Sequence, residues 1–169
     1  MKKPFGAPFF RSLGVFVLVS LQTSLFGCAS TSPAAIDLAN YVNQGVLRIS
    51  ELEQKSLQRY ASVTGANYKS DSEVYEALKD YIIPLYKRFV DGLRKIRPET
   101  EEVQSLNWIY IHGSTSMLEG FNMLMVAIEA KDPSMIPSVN EKIEQGRREN
   151  EKWRQELAAL SKKYSIKLE

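Results

Sequence analysis

Four stretches of this 169-residue chain repeat apolar side chains at three- and four-residue intervals, and that spacing constrains the fold more than any other feature. It gathers one apolar stripe per helix, whereas the two-residue alternation of a half-buried strand is absent throughout. The first stripe follows Ser32-Pro33, an N-cap and first helical position, and runs through Leu38, Val42, Gly45, Ile49, Leu52, Ser56, Tyr60 and Val63. Gly65-Ala66-Asn67 breaks it. The second opens on Ser70-Asp71-Ser72-Glu73, a capping box. Its stripe is Val74, Leu78, Tyr81, Ile82, Leu85, Phe89, Leu93 and Ile96, and Pro84 inside it predicts a kink rather than a stop because the period continues.

Pro98 is the predicted start of the third helix, with Glu99, Glu101 and Glu102 complementing its positive end. Its core face reads Val103, Leu106, Tyr110, Gly113, Met117, Phe121, Leu124 and Ile128. Asp132-Pro133 separates it from a fourth stripe that includes Val139, Ile143, Gly146, Asn150, Trp153 and Leu157. Four helices of about 25–32 residues with short connections predict an all-α fold, an antiparallel up-down-up-down four-helix bundle over residues 33–169. Gly45, Gly113 and Gly146 lie on the stripes, with Gly120 beside Phe121. Gly120 and Gly146 are expected at similar heights. Such glycines mean either close backbone approach or a small cavity, here lined by Tyr110, Phe121 and Trp153.

The N-terminus is written differently. Lys2, Lys3 and Arg11 precede an apolar run over residues 13–21, which Gln22, Thr23 and Ser24 interrupt well short of the roughly 18–20 residues a spanning helix needs. Leu25-Phe26-Gly27-Cys28 follows. This context resembles the lipobox of bacterial lipoproteins, with Leu25 and Gly27 at matching positions and Phe26 bulkier than usual. The resemblance implies a signal peptide over residues 1–27, cleavage before Cys28, lipid on that cysteine, and a short tether over residues 28–32. Cys28 is the only cysteine, so no internal disulfide forms and lipidation accounts for the orphan thiol. Ala29 in place of aspartate implies, within that class, the periplasmic face of the outer membrane, with inner-membrane retention as the alternative.

Removing the signal changes the charge. Residues 1–27 hold three of the 22 Lys and Arg and none of the 20 Asp and Glu, which leaves 19 against 20, a balance of −1. A near-neutral body offers no concentrated basic face for nucleic acid. Arg94, Lys95, Arg97, Lys162, Lys163 and Lys167 fall at the end expected to face the membrane. They either touch anionic headgroups or simply complement helix dipoles.

The chemistry of catalysis is sparse. His112 is the only histidine, stands outside any Glu-x-x-His pair, and sits about 140° from the third stripe's centre, where it is expected to face solvent. Met117 is read as packing rather than a haem ligand. Ser114 and Ser116 diverge from His112 at i±2, and Glu101-Glu102 and Glu149/Glu151 read as solvated faces. No catalytic residue, metal ligand or cofactor site is expected. A second apolar flank on the third helix (Trp108, Ile111, Leu118, Met125 and Val126) is either buried or a surface for a protein partner or self-association. Of these, Trp108, Ile111, Leu118 and Met125 are the candidate partner-binding residues. The expected function is a membrane-tethered, non-enzymatic interaction module of the cell envelope. The alternative is a carrier or sensor of a small apolar ligand in the bundle core.

Overall fold

Four long helical segments make up the chain in the computed structural model, which describes residues 32–166. Helix α1 covers residues 33–63 as a helix Pro33–Asn40, a wide π turn Tyr41–Val46 and a helix Leu47–Val63. Helix α2 covers residues 71–93 in the same manner, with Asp71–Ala77, a π turn Leu78–Ile82 and Ile83–Leu93. Helices α3 (Glu101–Glu129) and α4 (Ile136–Lys163) run without interruption. Among the described residues there is no strand, and no helix is long and apolar enough to cross a membrane.

The connections follow local chemistry. After α1, Gly65 takes φ +60°, a conformation that costs glycine little. Ser70 Oγ then accepts the Glu73 N–H at 3.3 Å, the serine half of the expected capping box. Before α4, Asp132 Oδ1 accepts from Ser134 N (3.0 Å) and Ser134 Oγ (2.6 Å), holding the 3-10 turn Pro133–Met135. Pro98 does not start α3, contrary to expectation. Thr100 is the N-cap, and its own side chain makes no capping bond. Instead the carboxylate of Asp37, buried near the start of α1, accepts from Glu99 N (3.0 Å), Thr100 N (2.8 Å) and Thr100 Oγ1 (2.7 Å). A distant acid thus replaces the local cap and pins α1 to the α2–α3 turn.

The π turns coincide with local departures from the predicted stripes. Each such turn inserts an extra residue and shifts the buried position nearby, while Ser56 and Val63 in α1 and Phe89 and Leu93 in α2 are buried as predicted. In α2 the predicted Tyr81 is exposed and Leu85 half-buried, whereas Ile82, as predicted, and Tyr86, outside the predicted stripe, are fully buried. In α1, Val46 is buried where Gly45 was expected. Pro84 lies in the first turn of the helix that follows the π turn, and the helix continues through it rather than stopping, as predicted.

The core is aromatic. Tyr86 packs edge-on against Phe89 (5.5 Å between centroids) and Phe121 (5.3 Å), Phe89 against Tyr110 (5.5 Å), and Tyr110 stacks on Trp153 at 3.9 Å. Full burial of a ring such as Phe121 contributes about 1.5–3 kcal/mol. Trp153 Nε1 donates to Tyr41 Oη at 3.1 Å, tying α4 to α1 at this level.

The glycines of α3 and α4 set how closely those two helices meet. A Cβ on Gly146 would stand 2.8 Å from both the Gly113 carbonyl oxygen and the Met117 nitrogen. One on Gly120 would meet Ile143 Cγ1 at 2.5 Å, and one on Gly113 would strike the Asn150 side chain and Glu149 Cβ (2.8 Å). Close approach, rather than a cavity, is what these residues provide. Gly146 lies level with Gly113 and Met117, about a turn away from the predicted partnership with Gly120.

Candidate functional site

The seam between α1 and α4 differs from the others. From Glu53 to Thr64 on α1 and from Glu144 to Gln155 on α4 the two helices stand apart, leaving a groove of about 880 Å³. Leu57, Tyr60 and Ala61 form one wall, Arg147, Arg148, Glu151 and Arg154 the other, and Met117 of α3 shows through the floor. The groove is ordered along its length. Arg154 lies near enough to act on the charge of Glu53, and Arg147 near enough to act on Tyr60. Seven residues separate Glu53 from Tyr60, a rise of about 10 Å.

Behind the Glu53 end lies a buried polar node to which all four helices contribute. Tyr110 Oη of α3 donates to Glu53 Oε2 at 2.6 Å. Tyr86 of α2, Ser114 of α3 and Asn150 of α4 crowd the same place, yet Tyr86 Oη, Ser114 Oγ and Asn150 Oδ1 are buried without a hydrogen-bond partner. Burial raises the Glu53 carboxyl above its ordinary range, against the opposing pull of Tyr110, Arg154 and Tyr86. Burial likewise raises the Tyr86 and Tyr110 phenols, and the neighbouring Glu53 charge adds to both. An acid disfavoured in its charged form beside unsatisfied polar atoms is a common property of functional sites.

Sequence reading missed this node because Glu53 lies between two half-buried apolar residues, Leu52 and Leu57, and looks like any charge on a solvated face.

The predicted partner-binding residues are divided. Trp108 is 62% exposed and Val126 46%, while Ile111, Leu118 and Met125 are half-buried and pack against the core. The second flank of α3 is therefore apolar surface at Trp108 and Val126 and core margin between them. His112 does not stand free in solvent as expected. Its ring stacks on Trp108 one turn earlier (5.2 Å, 11° between planes), and Nδ1 is buried without a partner. Met117 packs against Gly146, and Ser114 and Ser116 are buried in the α3 interior. No group of three or more metal-ligating side chains occurs among the described residues.

At the end predicted to face the membrane, the basic residues are partly engaged. Lys163 pairs with Glu102 Oε1 at 2.5 Å, Arg94 donates to Thr115 Oγ1 at 3.1 Å, and Arg97 bonds the carbonyl of Ile96 at 3.1 Å. The expected signal peptide over residues 1–27, the expected lipidation site Cys28 and Lys167 lie outside the described residues. The alternative of a cavity beside Gly113, Gly120 and Gly146 does not hold, because Asn150, Ile143 and Met117 fill that space, and a groove lies at the α1–α4 seam. No protein-family model, curated protein or solved structure matches the chain.

Proposed function

We propose that the protein is a lipid-anchored component of the bacterial cell envelope whose helical body works by contact with another protein rather than by catalysis. The body is read as an antiparallel up-down-up-down four-helix bundle. Side-chain pairings support that topology. Residue numbers rise together along α1 and α3 (Asp37 with Thr100, Glu53 with Tyr110, Tyr60 with Phe121). They run oppositely along α3 and α4 (Glu102 with Lys163, Glu119 with Lys142). Opposition also holds for α1 with α2 (Gly45 with Ile96, Ile49 with Gly92).

The anchor rests on the lipobox-like Leu25-Phe26-Gly27-Cys28 and on the short distance to the first helix. Residues 29–32 alone separate Cys28 from Pro33, the first residue of α1, a reach of about 15 Å even when extended. A body on such a leash works beside the membrane, at the periplasmic face of the outer membrane on the reading of Ala29. The Asp37 clasp transmits that attachment from α1 to the start of α3.

The observation that carries the contact reading is the exposed indole of Trp108 on the apolar flank of α3. In-cell crosslinking of the lipidated chain tests it, with Trp108→Glu as the variant because that side chain is mostly exposed and its loss spares the core. The expected result is a crosslinked complex that Trp108→Glu removes while the melting temperature holds. A complex that survives the substitution rules the flank out. Cys28→Ser should abolish lipid labelling and release the chain from membranes, and continued membrane association would contradict the anchor.

A further inference from the structure

The α1–α4 groove is lined by charges of both signs, with the α1 acid Glu53 toward one end, the α4 cation Arg147 toward the other, and Leu57 and Met117 also in the lining. At one end, Glu53 is half-buried and its charged form is disfavoured by desolvation. One oxygen already accepts the Tyr110 hydrogen bond, and Arg154, which acts on the Glu53 charge, is mostly exposed and engaged at 3.0 Å with Glu151 on its own helix. A second cationic donor delivered to Glu53 would meet an acid short of partners. Near Tyr60, about 10 Å of helix rise beyond Glu53, Arg147 is close enough to act on the phenol and makes a loose 3.8 Å contact to Glu144. The volume, about 880 Å³, falls within the ~300–1,000 Å³ typical of small-molecule sites.

We propose that this groove binds a small zwitterion, its ammonium held by Glu53 and its carboxylate by Arg147, with a short apolar stem between them lying over Leu57 and Met117. The ligand class is that of ω-amino acids and very short peptides, whose opposite charges stand several ångströms apart. Desolvation gives the site its selectivity: a lone carboxylate leaves Glu53 uncompensated, and a lone amine leaves Arg147 unused. The proposal depends on neither the lipid anchor nor the Trp108 surface, and fails or stands separately from them.

Titration of the purified chain with 6-aminohexanoate, read by amide NMR shifts, tests it, with hexylamine, hexanoate and glycine as controls. Saturable shifts over residues 53–64 and 144–155 are expected with 6-aminohexanoate, at least tenfold tighter than with hexylamine or hexanoate. Glycine, whose charges are adjacent, should bind no better than hexanoate. Glu53→Gln should weaken 6-aminohexanoate at least tenfold, and Arg147→Gln should reduce its affinity to that of hexylamine. The exposed Arg147 makes that second variant decisive even if Glu53→Gln fails to fold. No saturable shift with any probe, undiminished binding in either folded variant, or hexanoate matching 6-aminohexanoate would overturn the proposal.

Discussion

The two seams of α4 are built on opposite plans. Against α3 it presents Gly146 and receives Gly113 and Gly120, so backbones meet with no room for a single added carbon. Against α1 it presents Arg147, Arg148, Glu151 and Arg154, and the helices part around a charged groove. The same helix thus makes one contact by removing side chains and leaves another open by keeping long polar ones. Among the described residues, the buried side-chain hydrogen bond across the second seam is that of Trp153 to Tyr41. Packing along α4 is therefore not uniform.

Substitutions separate the two seams, beginning with the largest effect. Gly146→Ala should destabilise by about 1–3 kcal/mol in urea unfolding, although alanine is the better helix former by about 1 kcal/mol, because backbone atoms of α3 cannot yield. A neutral result would mean that the α3–α4 seam is loose as well. Tyr41→Phe removes the hydroxyl that receives the Trp153 N–H, and a loss of about 1 kcal/mol is expected in the same assay. Gly92→Ala supplies the contrast. Its Cβ would stand 3.0 Å from Cγ2 of Ile49 rather than against backbone, so any loss should be smaller than that of Gly146→Ala.

Glu53→Gln gives the smallest effect and the one with a pH signature. Burial raises the folded-state pKa of Glu53, so between the ordinary carboxylate value and the raised one the folded chain holds more protons than the unfolded chain. Stability contributed at this site therefore falls as pH climbs through that window. Glutamine does not titrate. The variant should match the native chain below the ordinary carboxylate range and melt higher at neutral pH. A variant that melts lower at neutral pH would show that the charged carboxylate is stabilising and the groove less dehydrated than its geometry implies.

The helical layout was legible because Val74, Phe89, Val103, Met117 and Val139 keep the three-four period, and because Ser70 and Asp132 signal their turns chemically. The place of Tyr86 rather than Leu85 in the α2 core was not, since nothing in Leu78 to Ile82 announces a π turn. The Asp37 clasp also escaped notice. It joins positions 62 and 63 residues apart, which no local pattern encodes. On α3, spacing identified an apolar flank, but the Trp108–His112 stack that shields the imidazole depends on rotamers. Glu53 was hidden for a similar reason: its environment is set by three other helices.

Segment-resolved hydrogen exchange of the intact chain tests the contrast between the seams most directly. With one side open to water, residues 53–63 should exchange through local opening, faster than the amides of α3 and α4 at the glycine seam, which should open only with the whole fold. Equal, global-rate protection of residues 53–63 and of residues 113–120 and 143–150 would contradict the account.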